Sequence, residues 1–306
     1  MHSLFQKLLA SGPVLTDGAW GTELQCRGLG LGEFPDTWNV THPEQVGEVA
    51  RAYVAAGSQV ILTNTFGANR LRLAEQNAPF DVQQINRRGV EISRMAASER
   101  ALVFASIGPS GKLLVTGDID PGELQSAFAE QAQALAEAGA DALLVESLSD
   151  LEEASVAVRA AKETGLPVVA SMVFNSGKDK TRTIMGQTPE QAARALGGAG
   201  ADALGANCGQ GISGFIPVCR QLRAASPLPI WIKPNAGLPR LSDGRAHYDT
   251  SPAEFAAFVP ALLEAGANFI GGCCGTRPDF IAAMKDVLAK TRRAEGRLAS
   301  PTYSHL

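Results

Sequence analysis

Eight short apolar runs alternating with helical segments, and one helix–glycine–strand unit that recurs four times, predict an α/β protein built as a single (β/α)8 TIM barrel. The 306 residues suit such a barrel, whose usual size is about 250 residues. The recurring unit is read in "AAGSQVILTNTFG" (55–67), "EAGADALLVESLS" (137–149), "GAGADALGANCGQ" (198–210) and "EAGANFIGGCCGT" (264–276). In each, an Ala-rich helix end turns at a glycine, Gly57, Gly139, Gly200 or Gly266. Glycine there supplies the left-handed conformation that closes a helix. The apolar run that follows is short and nearly unbroken, as expected of a parallel strand covered on both faces.

The remaining strands fall between these units. "PVLTDG" (13–18) comes first and "LVFASIG" (102–108) third, with "PVVASMVF" (167–174) fifth and "PIWIKPNAG" (229–237) seventh. Helices are predicted between them, for example over 126–139 and 188–200. Thr188, Pro189 and Gln191 form a capping-box start, and Ser251 with Pro252 repeats the pattern. A doubly wound open sheet is the alternative, because periodicity alone does not establish closure. The barrel is expected to occupy residues 1–290. Residues 291–306, polar and without strong periodicity, are expected to form a tail or an arm onto a partner.

Composition narrows the function. With 45% hydrophobic and 19% charged residues a large core is attainable and wholesale disorder is excluded. A formal charge of −4 offers no electrostatic footing for nucleic acid. No run approaches the ~20 apolar residues needed to span a bilayer, and "MHSLFQKLLASG" lacks the apolar centre of a signal peptide. Five cysteines, an odd and sparse set, fit a reducing cytoplasm better than a disulfide framework.

In this fold the chemistry gathers at the carboxyl ends of the strands. Those ends carry Asp17 and Gly18, Asn64 and Thr65, Ser106 and Gly108, Glu146, Asn207 and Cys208, Asn235, and finally Cys273 and Cys274. Three of the five cysteines thus lie on two strand ends. Zinc accepts thiolates readily, and three protein ligands leave one position for substrate. Neighbouring side chains of a strand point to opposite faces. Cys273 and Cys274 could therefore share an ion only where the strand ends or bulges, which the flanking glycines permit. The plainer alternative is a buried Cys208 and an incidental pair. Cys26 and Cys219 read as packing residues. Asp17 and Glu146 could capture a cationic group such as an ammonium, or could cap a turn and open a helix. Asn235 could form a turn or donate oxygen to a metal. "GQGISG" (209–214) matches a dinucleotide-loop pattern, but the acidic residue expected about twenty positions on is absent.

Taken together, "TDGAWGTELQ", "LTNTFGAN", "SIGPSG", "VESLSD", "GANCG", "KPNAG" and "GGCCGT" resemble the zinc-dependent homocysteine S-methyltransferase family, over residues 10 to 290. The resemblance implies a (β/α)8 barrel with Zn2+ on Cys208, Cys273 and Cys274, and Asn235 able to fill the fourth position. It also implies that Asp17 and Glu146 receive the homocysteine amino group, while amides at Gly18 and Ala19 face its carboxylate. Thr65, Ser106 and Asn207, from the same rim, are further candidates for substrate binding. The wording is most similar to the homocysteine module of cobalamin-dependent methionine synthase, which implies a methylated corrinoid on a separate protein as methyl donor. A small free donor (betaine, S-methylmethionine or S-adenosylmethionine) is the alternative. Betaine users carry aromatic cages, and here Gly67 and Ser147 stand where cage tyrosines are expected, with Phe34 near a further cage position. A non-catalytic zinc-binding subunit of a methyl-transfer complex is the remaining alternative.

Overall fold

A computed structural model describes residues 2–242 and 245–298. All eight expected strands form, each short and parallel to its neighbours. In chain order they are β1 (Val14–Leu15), β2 (Val60–Ile61), β3 (Leu102–Ile107), β4 (Ala142–Leu148), β5 (Val168–Met172), β6 (Ala203–Gly211), β7 (Ile230–Asn235) and, after a two-stranded hairpin of β8 (Arg240–Ser242) and β9 (Arg245–His247), β10 (Phe269–Ile270). The sheet order is β1-β10-β7-β6-β5-β4-β3-β2. Both expected capping boxes are present, Thr188 with Gln191 and Ser251 with Glu254.

The two ends of this sheet, β1 and β2, meet across a seam, which rules out the open-sheet alternative. Backbone contributes one bond there, from Gln59 N–H to the Leu15 carbonyl at 2.8 Å. Side chains supply the rest. Gln59 Oε1 accepts from Leu15 N–H (3.1 Å), Ser58 Oγ donates to the Thr16 carbonyl (3.2 Å), and Asp17 Oδ2 accepts from Leu62 N–H (2.7 Å). Eight parallel strands so arranged, wrapped by helices, make a nearly closed (β/α)8 barrel.

Large side chains fill the barrel interior at its amino end. Phe104, Trp231 and Phe269 pack together there, and the helix Ser3–Leu9 presses Phe5 onto them, with ring centroids 6.0 Å from Phe104 and 5.6 Å from Phe269. Each such burial contributes roughly 1.5–3 kcal/mol. It also stoppers that end, so the open rim lies at the carboxyl ends of the strands.

The chain's end departs from expectation. The last helix runs from Pro278 to Leu298, so the expected break at residue 290 falls within a helix. "TRRAEGRL" consists largely of good helix formers with only Gly296 against them, and propensity outweighed the weak apolar periodicity. The rest of the expected tail, 299–306, lies outside the described residues. Among the described residues no helix is long and apolar enough to cross a membrane.

Candidate metal and thiol-binding site

Cys208 is brought to the rim by a bulge. The register between β6 and β7 shifts between Asn207 and Gly211, and Cys208 itself adopts φ +61°. A non-glycine residue there is strained, and such strain gathers at functional sites. Cys273 and Cys274 follow β10 after Gly271 and Gly272, where a side chain at Gly272 would overlap that of Thr276 and one at Gly275 would run into the Tyr248 ring. The glycines therefore allow tight folding of the segment that presents two adjacent thiols to one point.

The three sulfurs converge. Cys208 Sγ lies 3.8 Å from Cys274 Sγ, which lies 4.0 Å from Cys273 Sγ, and all three fall within 4.8 Å of one another. A disulfide needs about 2.05 Å, whereas sulfurs about 2.3 Å from a tetrahedral zinc sit about 3.8 Å apart. The spacing is that of a metal-ligand set. Buried Asn235 Oδ1 has no hydrogen-bond partner among the described residues, an orphaned oxygen of the type a metal would satisfy. The Cys208 thiol is held well below its usual range, because Cys273 and Cys274 both donate to it, and the same contacts push Cys273 and Cys274 up. Thiol donors, spacing and orphaned oxygen all fit zinc.

A cavity of about 530 Å³ opens beside the thiols, walled by Trp20, Phe34 and Phe66 toward the mouth and by Glu146, Ser106 and Lys233 toward the floor. Glu146 is 7% exposed, and burial raises its pKa, opposed by the charge of Lys233 and the hydrogen bond from Ser106 Oγ at 2.6 Å. Ser106 and Glu146 therefore stand where the sequence places them.

Four other candidates do not have the setting expected. Asp17 is fully buried, and its carboxylate already accepts from Trp20 Nε1 (2.7 Å), Leu62 N–H and the Lys233 ammonium. The group facing the cavity from that corner is Lys233. Ala19 lines the cavity beside Gly18, but its N–H is committed to the Thr276 carbonyl at 3.0 Å. Thr65 is buried, with its hydroxyl spent on the Ser106 carbonyl (2.8 Å) and on Thr63 (2.6 Å), so it struts β2 against β3. Asn207 accepts from Ser171 Oγ and Ser147 N–H and donates to Ser147 Oγ. Its Nδ2 also lies 3.9 Å from Cys273 Sγ. It braces the thiol site and makes no wall of the cavity.

Sequence reasoning passed over Lys233, Trp20 and Asp36. A lysine inside the apolar run "IWIKPN" was the available signal for the first; no comparable signal marked the other two. Asp36 is 2% exposed and accepts from Gly67 N–H at 2.8 Å. Burial raises its pKa to about 7. Of the two cysteines read as core or surface packing, Cys219 is buried, with its pKa pushed up to about 12 by burial, and Cys26 is exposed. In the "GQGISG" loop the Gln210 amide donates to the carbonyls of Phe174, Lys180 and Gly214.

Residues 14–288 match the family described as Homocysteine S-methyltransferase. The chain belongs to that family. It is 31% identical to a methionine synthase of Mycobacterium tuberculosis over 98% of this chain, and 32% identical to that of Mycobacterium leprae over 92%. It spans only about a quarter of those relatives, 26% and 25% of their lengths. Among solved structures it resembles the metallated form of the homocysteine methyltransferase MmuM from Escherichia coli, with a TM-score of 0.77 and 26% identity, covering 92% of this chain and 99% of that one. Membership makes this an S-methyltransferase barrel, and the thiol cluster stands at its open rim.

Proposed function

We propose that this chain methylates the thiol of L-homocysteine to give methionine, using zinc held by Cys208, Cys273, Cys274 and Asn235. The observation that carries the reading is the three sulfurs at the spacing of a tetrahedral ligand set beside a cavity with a buried carboxylate. Zinc, when bound, would supply the means of keeping an incoming thiol deprotonated near neutral pH.

The chain's own residues do the rest. Glu146, oriented by Ser106, would take the substrate ammonium, and Asn207 keeps Cys273 and the β4 bulge in place. The homocysteine sulfur attacks the donor's methyl carbon in line; the new S–C bond takes both electrons from sulfur, and the old bond's pair leaves with the donor. No general base is required once the thiol proton has been lost. Five unpaired cysteines agree with a cytoplasmic setting.

The methyl donor is proposed to be a methylated corrinoid, as the resemblance to the homocysteine module of cobalamin-dependent methionine synthase implies. A second reading, a small onium donor, rests on the cavity mouth. The Phe34 ring occupies the space a side chain at Gly67 would need, and with Phe66 and Trp20 it forms an aromatic wall near Asp36. Such a wall suits a cation. Methionine formation from homocysteine, tried with methylcobalamin, betaine, S-methylmethionine and S-adenosylmethionine, separates the two. Turnover is expected with the corrinoid and little with betaine. Strong betaine turnover would reverse that ranking. No turnover with any donor, in protein that binds zinc and loses it in Cys208→Ser, would favour a non-catalytic zinc-binding subunit.

A further inference from the structure

Cys208, Cys273 and Cys274 all line the cavity that an acceptor thiol and a methyl donor would share. A donor seated there faces three protein sulfurs as well as the acceptor's own. Thiolates are both metal ligands and nucleophiles, so the protein sulfurs compete for the methyl group. Methylation of Cys274 would form an S–C bond from a sulfur lone pair, while the donor left with the pair of its broken bond. The product is a neutral thioether where zinc takes thiolate sulfur. One such event would spoil the ligand set.

The protein sulfurs share a feature that bears on this competition: each accepts a hydrogen bond from the chain. Cys208 accepts from the Gly209 N–H. Cys273 accepts from Asn207 Nδ2 at 3.9 Å. Cys274 accepts from the Tyr248 hydroxyl. A hydrogen bond to a thiolate lowers its basicity, and nucleophilicity falls with basicity. The cavity wall toward the mouth offers no counterpart. It consists of Trp20, Phe34 and Phe66, and the one ring N–H among them is committed to Asp17 at 2.7 Å. An acceptor sulfur turned to that wall keeps its reactivity.

Of the three donors, one is a backbone amide and one is the carboxamide that braces Ser147. Tyr248 has neither role. It follows β9, and its half-buried ring lies against the bare Cα of Gly275, where any side chain would collide with it. The ring is thus seated beside Cys274 by packing, with its hydroxyl on the sulfur.

We propose that Tyr248 is a positioning residue for chemoselectivity, whose hydroxyl lowers the reactivity of the Cys274 sulfur so that the methyl group passes to the acceptor thiol and not to the protein. The proposal rests on the zinc and homocysteine reading above.

The test compares zinc-loaded wild type with Tyr248→Phe, which keeps the ring on Gly275 and removes only the hydroxyl. Both are treated with methyl iodide in the absence of homocysteine, and methylated cysteines are located over time by peptide mass spectrometry. In the variant Cys274 is expected to be methylated about tenfold faster, the scale of one hydrogen bond to a charged group, while Cys208 and Cys273 keep their wild-type rates. Equal Cys274 rates in the two proteins, or equal acceleration of all three sulfurs, would overturn the proposal and leave the zinc reading intact. If Tyr248→Phe does not fold or hold zinc, the same reaction on wild-type chain labelled throughout with 3-fluorotyrosine decides the matter. That more acidic hydroxyl donates more strongly and should slow Cys274 alone; an unchanged Cys274 rate would overturn the proposal. A wild type that takes up no zinc would refute the zinc reading, and this proposal with it.

Discussion

Asn207 fixes the backbone of Ser147: its Oδ1 accepts the Ser147 N–H at 3.0 Å and its Nδ2 donates to Ser147 Oγ at 2.6 Å. Ser147 sits at φ +62°, in the register shift that β4 makes between Val145 and Leu148. One residue further along β6 from Asn207, Cys208 occupies the matching left-handed position. Two strained strand ends, one bearing the carboxylate Glu146 and the other a thiol, are thus tied by one carboxamide.

Asn207→Ala should therefore harm the site more than the fold. Leaving Ser147 N–H and Ser171 Oγ without their acceptor is expected to cost about 1–3 kcal/mol in urea unfolding. Losing a bond that orients a ligand is expected to cost about 10- to 100-fold in zinc affinity. Competition against a chelator measures the latter. Unchanged competition would show that Asn207 does not organise the thiols.

Glu146→Gln separates binding from stability. Burial raises the Glu146 pKa, so the folded chain holds that proton more tightly than the unfolded chain does. Its contribution is present at low pH and lost as pH rises through the folded value. At pH 7.5 and without ligand, the glutamine variant, which still accepts from Ser106, should be at least as stable as wild type and about 1 kcal/mol more so at best. Homocysteine affinity should fall by roughly tenfold or more, through loss of a charged hydrogen bond. A destabilised variant with normal affinity would contradict the role given to Glu146.

Asp36→Asn should flatten one part of the stability profile. With its pKa raised by burial to about 7 in the folded chain, against about 3.9 for a free aspartate, Asp36 stabilises the fold fully only below the unfolded value. That stabilisation is lost as pH rises toward 7. The variant keeps an acceptor for Gly67 N–H. Its advantage over wild type should grow from pH 4.5 to pH 7.5, reaching about 2–4 kcal/mol. Urea midpoints at three pH values would reveal this, and a constant difference would refute it.

The barrel was legible because its signals are local and repeated. A glycine after each Ala-rich helix and an apolar run of fixed length leave little other room, and the capping boxes at Thr188 and Ser251 are sequence patterns in themselves. The thiols were legible because cysteine is scarce and strand ends converge. Partners of polar residues were not. Asp17 reads as a free carboxylate until Lys233, 216 residues away, is seen to occupy it. Thr65 and Asn207 likewise look available on the rim until their hydrogen-bond partners on neighbouring strands appear. A residue type and a strand end predict which rim a group reaches; whether its hydrogen bonds are already used depends on neighbours distant in sequence.

The junction between the first two strands has so little backbone pairing that Asp17 is part of its fastening. Any change of charge or length at residue 17 meant to suit a new ligand would also loosen barrel closure. Adaptation to other substrates is thereby steered to the mouth, where residues 33–36 and Phe66 can vary without touching the seam.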